Sequence, residues 1–190
     1  MRTLAAIEFM TVDGVMQGLG SPEEDTDGGF RHGGWGAPFA AATPVSGLGD
    51  TTAYLFGRKT YEKMAAFWPH QADSNPIAAH LNAAPKFVAT RTLSALDWPG
   101  SQVLAGDLVT AVSELKQNGS GTVAILGSGV LVHELMTNHL VDELRLFVHP
   151  LLLGTGKRLF RELPAPRSLR LMDFSTTALG TLVLSYAVHD

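Results

Sequence analysis

The chain contains no cysteine, which excludes disulfides, thiol nucleophiles and zinc–thiolate sites. No run of about 18 apolar residues occurs, so no membrane span or membrane partner is expected. Basic residues are not in excess: 14 Lys and Arg face 18 Asp and Glu, a formal net charge of -4. Nucleic-acid backbones call for a basic surface, so no nucleic-acid partner is expected either. The opening MRTLAAIEFMTVDG lacks the apolar core of a secretory signal and carries acids at Glu8 and Asp13, which makes a cytoplasmic protein the expectation. No repeat of solenoid period is found. Apolar material is plentiful: 45% of the 190 residues are hydrophobic and 17% charged, enough for the core of one domain over 1–190.

The pattern alternates between strands and helices. Strand patterns cover 4–10, 53–56, 86–90, 101–105, 122–126 and 142–150. Helical spacing covers 60–67, a stretch after Asp107 with Leu108, Val112 and Leu115 on one face, and a stretch with Leu131, Leu135 and Met136. A short, poor helix is expected over 38–49. Residues 16–38 are too rich in glycine for an element and read as a working loop. This order predicts an α/β domain with a largely parallel sheet. Two C-terminal strand patterns, 168–174 and 181–188, join through Ala178-Leu179-Gly180 as a hairpin, so the sheet is expected to close with antiparallel strands.

Three strand ends carry turns that could meet phosphates. Gly57-Arg58-Lys59-Thr60 is either an ordinary strand-to-helix turn capped by Thr60, or a helix N-terminus facing a phosphate with two cations beside it. Thr90-Arg91-Thr92 is either a solvated loop or a second phosphate clamp. Gly127-Ser128-Gly129 either lets helix and strand pack closely or admits a pyrophosphate; the third glycine of a dinucleotide fingerprint is absent. Ligands of open parallel sheets bind outside the carboxyl ends of the strands, where all three turns fall. Two basic turns and a glycine turn suit a pyrophosphate plus one further phosphate, the groups that NADPH has and NADH lacks in part.

The ordered set Thr-Val-Asp-Gly (11–14), Phe-Gly-Arg-Lys-Thr-Tyr-Glu (56–62), Lys-Phe-Val-Ala-Thr-Arg-Thr-Leu (86–93), Ile-Leu-Gly-Ser-Gly (125–129), Leu-Val-Asp-Glu-Leu-Arg-Leu (140–146) and Pro-Leu-Leu-Leu-Gly-Thr-Gly-Lys-Arg-Leu-Phe (150–160) resembles the dihydrofolate-reductase-like superfamily. It is most similar to the reductase (RibD C-terminal) domain of the bifunctional riboflavin deaminase/reductase. The resemblance implies a three-layer α/β/α fold with a mostly parallel sheet of about eight strands and an antiparallel C-terminal hairpin. It implies an oxidoreductase with NADPH as hydride donor and, in this branch, a homodimer. By resemblance, Gly57, Arg58, Lys59 and Thr60 would grip cofactor phosphates. Thr90, Arg91 and Thr92 would hold the adenosine ribose and its phosphate, and Gly127, Ser128, Gly129 and Val130 the pyrophosphate. Phe9, Val12, Asp13 and Met16 would border the nicotinamide.

The sequence departs from dihydrofolate reductase at the pterin-binding acid. Counting back from Gly57 reaches Ala40, Ala41 and Ala42, no acid lies between Asp27 and Asp50, and the Met-Pro-Trp segment is missing. Folate reduction is thus disfavoured. The expected substrate is a small planar nitrogen heterocycle, either a riboflavin-pathway pyrimidine such as 5-amino-6-(5-phosphoribosylamino)uracil or a pterin-like ring. The alternative is a nucleotide-binding protein without turnover. Asp13 is the best-placed proton donor, although Asp-Gly also makes turns; Glu8, Asp25, Asp27 and His32 are further titratable candidates. His32 and Trp35 could hydrogen-bond and stack on the heterocycle. His133, His139 and His149 show no metal spacing, and no metal is expected.

Overall fold

The computed structural model describes residues 1–42, 50–72 and 74–189. Among these residues lie strands β1 (Thr3–Thr11), β2 (Thr51–Gly57), β3 (Lys86–Ala89), β4 (Ser101–Leu104), β5 (Thr122–Ile125), β6 (Glu143–His149), β7 (Ser168–Thr176) and β8 (Leu182–His189). The α-helices are α1 (Arg58–Phe67), α2 (Pro76–Ala83), α3 (Leu108–Gln117) and α4 (Gly129–Thr137). The eight strands form one sheet in the order β4-β3-β2-β5-β1-β6-β8-β7. Pairings β3–β4, β2–β3, β2–β5 and β1–β5 are parallel, whereas β6–β8 and β7–β8 are antiparallel. The expected mixed sheet with its C-terminal hairpin is present.

Local chemistry explains where the boundaries differ from expectation. Helix α1 begins at Arg58 with Gly57 as its N-cap, so Thr60 lies inside the first turn and does not cap it. Helix α2 has no counterpart in the sequence reading. Its Ala-rich sequence offers little apolar stripe, yet Asn75 caps it by accepting from the Ile77 and Ala78 amides, with Pro76 at the first position. The poor helix expected over 38–49 is a 3-10 helix at Ala37–Ala42; residues 43–49 lie outside the described set. The glycine-rich segment holds one 3-10 turn, Asp27–Gly29.

The chain divides into two compact units, Met1–Ala6 with Val45–Asp142, and Ile7–Pro44 with Glu143–Asp190. The first unit is parallel and its central strands β1, β2 and β5 are buried on both faces: Leu4, Ala5, Ala6, Tyr54, Leu55, Phe56, Val123, Ala124 and Ile125 are all fully buried. Its most unusual core member is Lys86 on β3, also fully buried. The ammonium donates to the carbonyls of Asn82 (3.2 Å), Ala84 (2.7 Å) and Pro99 (3.0 Å) and lies 4.7 Å from the Trp98 ring centroid. Together these acceptors and the ring replace the ammonium's lost hydration.

In the second unit β8 pairs antiparallel with both β6 and β7. Val15, Phe30 and Trp35 form its small core, with Leu19, Leu151 and Leu153 packed against them. The glycine-rich loop is pinned here by Gln17. Its Nε2 donates to the Asp25 and Asp27 carbonyls and to Asp25 Oδ1, and its Oε1 accepts from the Lys157 amide. Lys157 Nζ then bridges the Asp25 and Asp27 carboxylates, at 2.7 Å from each. Edge strand β7 exposes Leu169, Leu171, Met172 and Phe174.

Burial pushes the Lys86 ammonium from 10.5 down to about 8. Between those values the unfolded chain holds more of this proton than the folded one, so the group's contribution to stability rises with pH across that window. Urea denaturation of wild type and Lys86→Met at about pH 7.5 and about pH 9.5 reads this directly. Wild-type stability minus variant stability should increase with pH; an unchanged difference would contradict a depressed ammonium.

Candidate active site

The site in the first unit is built by strand order. β3, β2 and β5 are neighbours and parallel, with Gly57 opposite Ala89 and Leu55 opposite Ile125. The turns after these strands therefore leave the sheet at the same end. They are the three turns marked in the sequence: 57–60, 90–92 and 127–129. The Gly57 amide donates to the Gly127 carbonyl at 3.3 Å, which ties two of the turns together. The Gly127–Ser128 peptide is cis.

Both glycines are required by close approach. A Cβ on Gly57 would stand 2.8 Å from Ser128 Oγ. Gly127 has a φ of +83°, and a Cβ there would stand 3.1 Å from Thr60 Oγ1. The helices that leave these turns share a second property. α2 and α3 are capped by the side chains of Asn75 and Asp107. α1 and α4, which follow Gly57 and Ser128, have no side-chain cap. Their first amides are unfilled by side chains and carry the positive end of the helix dipole, a setting suited to anions.

The cations around these turns are exposed. Arg58 lies along α1 and pairs with Glu62 at 2.9 Å. Such a solvent-exposed pair is worth at most about 1 kcal/mol, less than the ~1.5–3 kcal/mol of a charge-assisted hydrogen bond, so an anion can draw the guanidinium away. Lys59, Arg91, Thr92 and Val130 are exposed. Thr90 Oγ1 accepts from the Thr92 and Leu93 amides and shapes its turn. Thus Gly57, Thr60, Gly127 and Ser128 are brought together, with α4 opening at Gly129, while Thr90-Arg91-Thr92 follows the adjacent strand.

The second unit holds the other marked residues. Asp13 is a clasp: its carboxylate accepts from Thr11 Oγ1 (2.5 Å), the Leu153 amide (3.3 Å) and the Gly154 amide (2.8 Å). Arg158 Nε donates to its backbone carbonyl. The Thr11 hydrogen bond, with the two amides, holds the carboxyl below the usual carboxylate range despite partial desolvation. Met16 is half-buried, and its amide donates to the Lys157 carbonyl. His32 is exposed and sits edge-on to Phe30. Trp35 is buried, and its indole N–H donates to the Gln17 carbonyl at 2.7 Å.

Phe9 and Trp35 surround a residue that the sequence reading had set aside, His149. Phe9 stacks on Phe147 at 4.5 Å and on His149 at 6.2 Å. Trp35 meets His149 edge-on at 5.4 Å, and Phe39 meets it tilted at 4.7 Å. The imidazole is buried and its Nδ1 is 3.0 Å from Thr181 Oγ1. On β6 it shares a face with Phe147 and with the partly exposed Glu143 and Arg145, opposite Leu144 and Leu146, so strand alternation gave no signal of its burial. Among the described residues no group of three or more His, Cys, Asp or Glu could hold a metal ion.

These elements define a dihydrofolate-reductase-like fold, and comparison with known proteins agrees. A dihydrofolate reductase from Enterococcus faecalis complexed with NADP(H) and RAB-propyl superposes with a TM-score of 0.57 at 17% identity, covering 99% of this chain and 97% of that one. A candidate riboflavin biosynthesis protein of Shewanella sp. PV-4 gives a TM-score of 0.70 at 18% identity, covering 99% of both chains. A pyrimidine reductase-like protein of Corynebacterium diphtheriae gives 0.58 at 13% identity, covering 100% of this chain and 92% of that one. An uncharacterized protein of Bacillus subtilis (strain 168), YyaP, is 26% identical over 143 residues, 73% of this chain and 75% of its own. The RibD C-terminal domain family matches residues 2–184, and the chain belongs to that family. Family and fold are reductase-like.

The Asp13 clasp makes a pH-dependent prediction. Its folded pKa lies below the unfolded 3.8, so its contribution is fully present above that value and is lost as pH falls through the lowered one. Asp13→Asn should lose about 1 kcal/mol at neutral pH, and the deficit should shrink as acid takes the pH below 3.8. Urea denaturation at the two pH values measures it; a deficit independent of pH would deny the carboxylate this role.

Proposed function

We propose that the chain is an NADPH-dependent oxidoreductase that reduces a small planar nitrogen heterocycle. The observation that carries this reading is the pair of uncapped helix N-termini, α1 and α4, at adjoining turns where a Cβ on Gly57 or Gly127 would intrude. An anion with two linked phosphates fits that donor set. Gly57, Arg58, Lys59 and Thr60, with Gly127, Ser128, Gly129 and Val130, would hold the pyrophosphate side of the cofactor, and Thr90, Arg91 and Thr92 its further phosphate. Phe9 and Met16 would border the nicotinamide. When bound, the cofactor supplies the hydride.

The chain's own residues position and exclude. Asp13 is held ionised and engaged by three donors, so its role in this reading is to fix the 153–154 backbone and not to donate a proton. Trp35 has its N–H committed to Gln17, so it offers the substrate an aromatic surface and no hydrogen bond. His32, exposed on the same loop, is free to approach a polar edge of the ring. Ala40, Ala41 and Ala42 supply no carboxylate, which speaks against folate. The names of the Shewanella and Corynebacterium proteins favour a riboflavin-pathway pyrimidine, such as 5-amino-6-(5-phosphoribosylamino)uracil, over a pterin. We further propose that 1–190 works as one reductase domain, in the cytoplasm, as a homodimer that covers the apolar face of β7. No helix among the described residues is long and apolar enough to cross a membrane.

Titration of the protein with NADPH, followed by cofactor fluorescence, tests the reading. Saturable binding is expected. Arg91→Ala should weaken NADPH about ten- to a hundredfold, the equivalent of one charged hydrogen bond, and weaken NADH far less. A flat titration at millimolar cofactor would overturn the proposal, and equal losses for both cofactors would remove the assignment of Arg91 to the extra phosphate. Sedimentation of wild type and Phe174→Glu tests the dimer, which the variant should shift toward monomer.

A further inference from the structure

Burial of His149 leaves a specific debt. Nδ1 is matched by Thr181 Oγ1, but Nε2 is buried and has no hydrogen-bond partner among the described residues. Rings enclose it instead: Phe9, Trp35 and Phe39. A buried polar atom left unmatched is destabilising, and native proteins seldom tolerate it without a purpose. The surroundings also fix its charge. Burial lowers the imidazole's pKa below 6.5, so it is neutral at physiological pH and presents one polar atom, not a cation.

The neighbours explain what such an atom could serve. Phe9 and Phe39 are half-buried, so solvent reaches these two rings, while Nε2 itself lies fully buried behind them. Trp35 has no donor to spare. The segment that carries Phe39 brings alanines and no acid. The enclosure is thus a set of flat apolar surfaces with one unmatched nitrogen.

We propose that Nε2 of His149 is the hydrogen-bonding group that reads the edge of the bound heterocycle, with the enclosing rings as its stacking surfaces. This rests on the reductase reading above and deepens it by naming a specificity-determining residue. Thr181 is its positioning partner: by donating to or accepting from Nδ1 it sets whether Nε2 accepts or donates. A lactam edge, with C=O beside N–H, satisfies Nε2 in either tautomer, so the enclosure favours neutral oxo-heterocycles over charged rings.

The test uses the whole protein, uniformly labelled with nitrogen-15 in its histidine rings and saturated with NADP+, so that no turnover occurs. The probe is 5-aminouracil, and its 1,3-dimethyl derivative, which lacks the ring N–H, is the control. His149→Gln and His149→Phe each identify the His149 signal by its loss. The expected result is a shift of the His149 Nε2 resonance with 5-aminouracil, a smaller shift with the control, and about tenfold weaker probe binding in His149→Phe. Thr181→Val should change the tautomer signature of the free protein and weaken probe binding with it, whereas a merely packed histidine would show the first change without the second. Probe binding that leaves the His149 signal in place overturns the proposal, as does equal affinity in His149→Phe. Absence of probe binding while NADP+ binds also overturns it, but leaves the reductase reading intact. Loss of cofactor binding as well would bring down that reading instead.

Discussion

Helix N-termini left without a side-chain cap are a cost unless something else meets their amides, and in the first unit two of them occur at neighbouring turns. The parallel register of β2 with β3 and β5 creates the neighbourhood, because parallel strands begin and end together. What keeps the caps open is the choice of residue. Gly57 and Gly127 have no side chain to fold back onto the first turn, and Ser128 is directed toward Gly57, where a Cβ would stand only 2.8 Å from its Oγ. The contrast with Asn75 and Asp107, which cap α2 and α3, shows that this chain can close a helix by ordinary means. Stability alone would favour caps on all four helices, and their omission at α1 and α4 leaves two neighbouring helix ends open.

The second unit solves a different problem. A segment as glycine-rich as 16–38 gains little from packing and loses much backbone entropy on ordering. Phe30 and Trp35 supply a small core, and polar hubs supply the rest of its order. Gln17 satisfies three acceptors and one amide at once, and Lys157 neutralises Asp25 and Asp27 over it. Desolvation opposes the ionised forms of both Asp25 and Lys157, but their mutual hydrogen bonds and attraction prevail: Asp25 is held below and Lys157 above its ordinary value. With Trp35 also tied to the Gln17 carbonyl, the loop has few unmatched groups of its own, and Asp13 serves the 150s backbone in the same way.

Much of this was legible in the sequence because it depended on local chemistry. Strand periodicity located all eight strands to within a few residues, and the three turns after β2, β3 and β5 stood out by composition. What escaped notice depended on partners distant in the chain. Helix α2 was hidden by its alanines, though Asn75-Pro76 announced its start. Thr60 looked like a cap until Gly57 took that position. Lys86 reads as a charged strand terminus, and nothing near it in sequence says that Pro99 and Trp98 will enclose it. Gln17 and Lys157 lie 140 residues apart, and neither has meaning without the other.

His149 belongs to this second group, and it shows why a shared fold leaves the substrate open. The family's scaffold prescribes strands and turns, which are backbone properties. The ring that a reductase accepts depends on the few polar atoms left inside an apolar enclosure. In this chain the 37–42 segment contributes Phe39 and alanines, so a charged ring gains no counter-ion from it. A neutral imidazole on β6 offers directional matching without charge, and a site that must pair a buried nitrogen rejects rings lacking the complementary edge. Selectivity on this view is set less by attraction to the correct ring than by the unmet hydrogen bond that every wrong ring would leave behind.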